Sequence, residues 1–261
     1  MRTLSHYALL LLYLMPYFSA CKNPVQQPNA PKAEFKKTTP PLEFIRVGKN
    51  TWLHKSYDHV DGYGMVYSHG GIIQSDDGVI VVDSAWTVEQ TKSILLWIEK
   101  HLKGKVEKAV FTHFHRDKMG GIEAFIDAGI NTYASHDTNT EAQKRGMVSA
   151  EFELTMKSNI ALWNDGRVEI FYPGPGHTQD NLVVYSKSDG VLLGGCIVRP
   201  GASKNMGNTS DANLGEWPNS IRRIQEKYQN ALVVVPSHGP PGSLDLLVHT
   251  LRLAIEYEPT H

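Results

Sequence analysis

Lys108-Ala-Val-Phe-Thr-His113-Phe-His115-Arg-Asp117-Lys-Met-Gly-Gly121 is the stretch around which the chain is organised. It begins with a short apolar run, Ala109-Val110-Phe111, that reads as a buried strand. His113, His115 and Asp117 follow at alternate positions. In extended backbone alternate side chains share a face, so three potential metal ligands point the same way. Met119-Gly120-Gly121 then turns the chain into a helix expected over 119–128. Imidazole and carboxylate offer the N and O donors that Zn²⁺ accepts. The bland alternative is a set of ordinary polar residues in a surface loop. A metal there needs further ligands from elsewhere in the chain.

The sequence has 261 residues, 41% hydrophobic and 20% charged, which suffices for one large domain or two fused halves. A net charge of −1 lacks the basic footprint of a nucleic-acid binder, so no nucleic-acid partner is expected. Residues 1–20 read as a signal peptide: a weakly positive leader, then an apolar run from Tyr7 to Phe18 too short for a comfortable membrane span. Phe18-Ser-Ala-Cys21 resembles a bacterial lipoprotein processing site, at which Cys21 would carry lipid and become the first residue. Ordinary cleavage after Ala20 is the rival. Either way export to the periplasm is expected, with an outer-membrane anchor if Cys21 is lipidated. Residues 21–41, with Pro24, Pro28, Pro31, Pro40 and Pro41, read as a disordered tether, and 42–261 as the folded domain.

Glu43 to Val47 and Asn50 to Leu53 alternate around Gly48-Lys49, a hairpin signal. Val60-Asp-Gly-Tyr63-Gly64 is either a plain turn or a mobile flap offering Val60 and Tyr63 to a ligand. Met65 to Tyr67 and Gly71 to Ser75 read as two strands. Gly78-Val-Ile-Val-Val-Asp83 is a buried strand ending in an acid. Asp83 either orients the metal loop from beneath or caps the following helix. Trp86 either walls a groove or fills the core. Ile94, Leu95, Ile98 and Leu102 mark an amphipathic helix over 87–102. A strand over 129–134 and a polar helix over 138–145 follow, so helices cover the outside of a sheet core.

The second half supplies more donors at strand ends. Arg167 to Tyr172 alternates as a strand, and Pro173-Gly-Pro-Gly176 leads to His177. Asn181 to Tyr185 and Val191 to Gly194 form a hairpin, with Cys196 just beyond it. A free cysteine is by default an inert buried residue. Here it ends a strand, as the first donors do. Ala231 to Pro236 is the last strand, and Ser237-His238-Gly239 follows. Six donors at four strand ends can make two four-coordinate sites, but spacing does not divide them. His6, His54, His59, His69, His101, His136, His249 and His261 have no partner at ligand spacing and read as leader, surface or packing residues.

His113-x-His115-x-Asp117, Gly-His177-Thr, Gly-Gly-Cys196 and Ser-His238-Gly together resemble the class B metallo-β-lactamases, from about residue 42 to the C-terminus. The resemblance implies an α/β fold, the four-layer αβ/βα sandwich of that family. It also implies two Zn²⁺ per chain, one held by His113, His115 and His177, the other by Asp117, Cys196 and His238. The activity it implies is hydrolysis of the β-lactam amide in penicillins, cephalosporins and carbapenems, with Asp117 and Asn208 as catalytic residues. Other branches of the superfold carry His after the motif Asp and an Asp in place of Cys196; Lys118 and Cys196 argue against them. Arg199 stands three after Cys196, where the family often has Lys, and the implied role is to grip the substrate carboxylate. Asn208 matches an Asn that donates to the lactam carbonyl. Val60, Tyr63 and Trp86 match the family's flap and groove wall. Asp83 and Lys118 are expected beneath the metals, and Arg116 is expected to point out of the site. The anchor at Cys21 favours a monomer. Two other readings stand beside this one: a related hydrolase of another amide or lactone, and a non-enzymatic exported zinc-binding lipoprotein.

Overall fold

The chain divides its strand pairing between two sheets, each built from a consecutive run of strands. The computed structural model describes residues 39–257. The signal peptide, Cys21 and all of the tether up to residue 38 lie outside the described residues.

The first sheet holds β1 (Glu43–Arg46), β2 (Thr51–Val60), β3 (Gly64–Ser75), β4 (Gly78–Val82), β5 (Val106–Val110), β6 (Asn131–Ala134) and β7 (Phe152–Glu153), side by side in chain order. The second holds β8 (Ile160–Trp163), β9 (Val168–Phe171), β10 (Val183–Ser186), β11 (Val191–Gly195) and β12 (Val233–Pro236), again in chain order. The helices are α1 (Val88–His101), α2 (Arg116–Met119), α3 (Glu123–Asp127), α4 (His136–Lys144), α5 (Trp217–Lys227) and α6 (Asp245–Ile255). Pairing is antiparallel from β1 to β4 and parallel from β4 to β7, with helical crossovers between the parallel strands.

Alternation along the strands sets the layers. In β4, Ile80 and Val82 face the second sheet, packing with Val168, Ile170 and Leu193. Val79 and Val81, on the opposite face, pack with Ile94 and Ile98 of α1 and Phe125 of α3. A strand covered on both faces reads as a continuous apolar run, which is why β4 has no polar alternation. In the second sheet Leu192 packs toward Trp217 and Ile221 of α5 and Leu247 of α6. The order is helix, sheet, sheet, helix: the αβ/βα sandwich.

Three expectations change. β3 is one strand of 12 residues, not two. Its central glycines make room rather than break it: a Cβ on Gly70 would meet His54 Nε2 at 2.1 Å, and one on Gly71 would meet Leu193 at 2.2 Å. The helix expected over 119–128 is two short ones, α2 and α3, separated at Gly120-Gly121, where a Cβ on Gly121 would meet Thr91 Oγ1 at 1.9 Å. The metal loop is therefore not extended throughout: His115 is the residue that caps α2, and Asp117 lies in its first turn.

Candidate metal centre and substrate groove

All four strand ends that carry donors open on the same edge of the sandwich. β5 delivers His113, His115 and Asp117; the loops after β9, β11 and β12 deliver His177, Cys196 and His238. His115 Nδ1 and His177 Nε2 stand 3.1 Å apart. The rings of His113, His115 and His177 lie mutually edge-to-face with centroids 4.8 to 5.1 Å apart. Cys196 Sγ is 3.4 Å from His238 Nε2 and 3.6 Å from Asp117 Oδ2, and His238 Nε2 is 3.6 Å from the same oxygen. His113 groups with His115 and Asp117, and equally with His177 and Cys196, all within 4.8 Å, so distance alone does not divide the six donors.

These donors fit a metal. His113 Nε2 is buried with no hydrogen-bond partner among the described residues. Tetrahedral zinc with N ligands near 2.05 Å spaces them by about 3.3 Å, and a thiolate widens its edges to about 3.6 Å. Burial, with His115 and His177 alongside, holds His113 well below the usual imidazole range. Burial, then the neighbouring His115, pushes His177 down to about 3. Both are thus neutral, the form that ligates. Burial alone would raise Asp117, but Lys118 and His238 hold its carboxyl well below the usual range. Burial, with Asp117 beside it, pushes the Cys196 thiol up. A thiolate ligand set without an all-oxygen cage suits zinc rather than Mg²⁺ or Ca²⁺.

A layer of hydrogen bonds orients these groups. His238 Nδ1 donates to the Tyr67 carbonyl at 2.7 Å, which turns Nε2 toward Asp117 and Cys196. Lys118, fully buried, donates to Ser68 Oγ at 2.8 Å and the His69 carbonyl at 2.9 Å, and lies 3.3 Å from Asp117 Oδ2. Ser68 Oγ donates to Asp117 Oδ2 at 2.9 Å. Asp83 has φ +64°. Its carboxylate takes Thr112 N at 2.7 Å and Thr112 Oγ1 at 3.0 Å, so it braces the start of the metal loop; Thr87 caps α1 instead. Burial pushes Asp83 up to about 6 despite Lys118 nearby. His54 and His69 are buried packing residues whose rings meet the carbonyls of Asp83 and Pro236.

Beside the donors runs a groove of about 370 Å³, whose lining includes Val60, Tyr63, Trp86, Arg199 and Asn208. Trp86 is 8% exposed, so it is both a wall of the groove and a buried ring. Tyr63 is 60% exposed at the tip of the β2–β3 hairpin. Arg116, expected to point out of the site, borders the groove and turns its guanidinium to Asp58 on β2, which is not among the groove residues. The attraction of that carboxylate accounts for its direction.

Sequence reasoning missed Asp211, which accepts from His115 Nε2 at 3.0 Å and lines the groove. It lies 96 residues from His115 in a polar loop with no periodic signal; its place three after Asn208 was the only available pointer.

The Metallo-beta-lactamase superfamily model matches residues 63–238. A "Metallo-beta-lactamase type 2" from Bacillus cereus is 34% identical over 243 residues, covering 93% of this chain and 94% of that protein. One from Pseudomonas aeruginosa is 35% identical over 219 residues, covering 83% and 86%. Among solved structures, DIM-1 metallo-β-lactamase exposed to ceftazidime superposes with TM-score 0.80 at 35% identity, covering 84% of this chain and 98% of that one. FIM-1 from Pseudomonas aeruginosa, in its mono-zinc form, gives 0.79 at 39% identity, covering 83% and 96%.

Proposed function

This chain belongs to the class B metallo-β-lactamases and hydrolyses the β-lactam amide bond; from that premise we propose that it works with two zinc ions, one on His113, His115 and His177, the other on Asp117, Cys196 and His238. The division follows the class B resemblance; the facing pair of His115 Nδ1 and His177 Nε2 and the Asp117–Cys196–His238 triangle support it, while His113 lies within reach of both groups. When bound, zinc supplies a Lewis acid and brings the pKa of a coordinated water down to about 7.

The chain's own residues do the rest. Asp117, anchored by Ser68 and Lys118, keeps one carboxylate oxygen fixed and orients the attacking water. Asn208, exposed on the groove with Oδ1 held by Ser210 N at 3.1 Å, presents its amide NH₂ to the lactam carbonyl oxygen as charge develops there. Arg199 faces the same groove as the cation for the substrate carboxylate. Val60, Tyr63 and Trp86 offer apolar contact to the substrate body. No nucleophilic side chain takes part, so no acyl-enzyme forms and a serine-directed inhibitor leaves activity intact.

Penicillins, cephalosporins and carbapenems are the proposed substrates. Hydrolysis of a carbapenem with and without chelator, alongside elemental analysis, tests the proposal. Two zincs per chain and chelator-sensitive turnover are expected; one zinc, or turnover indifferent to chelator, overturns it. Export and a lipid anchor at Cys21 belong to the same proposal and rest on residues 1–21 alone. Cys21→Ala should release the protein from the membrane fraction, and unchanged fractionation removes the anchor.

A further inference from the structure

Outside the groove, one cation touches both the metal loop and the substrate loop. Arg145 is the residue that caps α4 at its C-terminal end. One terminal nitrogen donates to Asp211 Oδ1 at 2.9 Å. The other donates to the Glu141 carbonyl at 3.3 Å and pairs with the Glu141 carboxylate. The guanidinium carbon lies 4.0 Å from the centroid of the Phe114 ring. Phe114 sits between His113 and His115, is buried, and is pinned by its backbone N to Asp180 Oδ2 at 3.0 Å. Asp211 uses its second oxygen, Oδ2, on His115 Nε2 at 3.0 Å.

We infer that Arg145 is a positioning residue for the hydrolysis, fastening Asp211 from outside so that His115 keeps its orientation and the loop carrying Asn208 keeps its place. This rests on the zinc assignment of His115 above. The Asp211 side chain is 31% exposed. Without a partner on Oδ1 it is free to swing to water, and His115 loses the hydrogen bond that sets its ring angle. Partners of a metal-bound histidine of this kind typically change metal affinity or activity by about 10- to 100-fold when removed. The arrangement needs arginine. A planar fork can reach Glu141 and Asp211 at once while its face lies on Phe114, and a lysine ammonium cannot do all three.

The test is metal retention by the full chain under graded chelator, with kcat and KM read on the same samples. Arg145→Met should lose metal affinity about tenfold, with Arg145→Lys in between. Asp211→Asn should lose a similar amount. Arg145→Met should add little in the Asp211→Asn background, because both changes break one linkage. A merely structural role predicts additive losses instead. Lys144→Ala removes a positive charge from the same helix end without touching Asp211, and should leave affinity unchanged. Affinity within twofold of the parent for Arg145→Met, or additive losses in the double variant, overturns the inference. If Arg145→Met does not fold, Arg145→Lys carries the same decision. Should the parent chain itself bind no metal, the zinc assignment fails rather than the role of Arg145.

Discussion

The guanidinium of Arg199 rests against Gly207, with Nε donating to the Asn205 carbonyl at 3.3 Å and a terminal nitrogen to Ser203 Oγ at 3.4 Å. These bonds hold the fork at the groove wall before any substrate arrives, which lowers the ordering cost of gripping a carboxylate. Arg199→Ala should therefore raise KM for carboxylate-bearing β-lactams by about tenfold and leave kcat within about twofold, since the lost contact is made equally in ground and transition states. Steady-state kinetics on one penicillin and one cephalosporin check this; an unaltered KM assigns the grip elsewhere. Gly207 has φ +72°, and a Cβ there would come within 2.7 Å of the guanidinium. Gly207→Ala should thus raise KM in the same direction without removing the charge. At this scale the sequence displayed the type of each donor but not its company. Arg199 was legible through the family resemblance, by its place three after Cys196, whereas Asp211 and the Asp58 partner of Arg116 were not, because contacts across 96 and 58 residues leave no local trace.

Among elements, the β2–β3 hairpin governs access to the groove. Its strands pair without interruption from Thr51↔Ile73 to Val60↔Gly64, and only the tip projects. Asp58, two residues before the tip begins, ties the hairpin to Arg116 of α2. An exposed ion pair is worth about 0–1 kcal/mol, so it can bias the flap without fixing it. Asp58→Asn should leave global stability within about 1 kcal/mol while hydrogen exchange across residues 60–66 speeds up. Unchanged exchange means that the ladder alone sets flap motion. A second element contact carries a pH dependence. Burial would raise Glu169 on β9, but bonds from Lys227 at 2.8 Å, Tyr228 and Lys187 outweigh it and hold the carboxyl below its usual value. A depressed carboxyl contributes stability above its unfolded pKa of about 4.3 and loses it as pH falls through the folded value. Glu169→Gln should cost on the order of 1–2 kcal/mol at pH 7 and much less near pH 3, read by urea denaturation at both. Strands were legible here by alternation or, in β4, by an unbroken apolar run; α1 was legible by its apolar stripe and α4 as a polar helical segment. α1 and α4 matched; α5 and α6 carried no sequence-level expectation. In α5 the stripe is Trp217, Ile221 and Ile224 among charged neighbours, and in α6 apolar residues crowd several faces.

For the molecule as a whole, the donors divide between the sheets: His113, His115 and Asp117 follow β5 of the first, while His177, Cys196 and His238 follow strands of the second. That each strand ended in a donor was readable in the sequence. That the ends meet was not, because it depends on how the sheets stack, through contacts such as Leu193 over Gly71 and Val110 in the shared core. A metal held by both sets crosslinks the sandwich at its open edge and binds only the folded chain. Such a ligand adds RT ln(1 + [L]/Kd), about 4 kcal/mol at a thousandfold excess over Kd, and at roughly 2–4 °C per kcal/mol for a domain this size the melting temperature should fall by about 8–16 °C on chelation. The gap should narrow as pH falls, because the Cys196 thiol, pushed up by burial, must give up its proton to ligate. It should narrow also in Cys196→Ser, which keeps the shape but offers a poorer donor. Coincident melting curves with and without chelator at pH 7 would mean that the sheets are held by their apolar interface alone, and that the six donors add nothing to the fold.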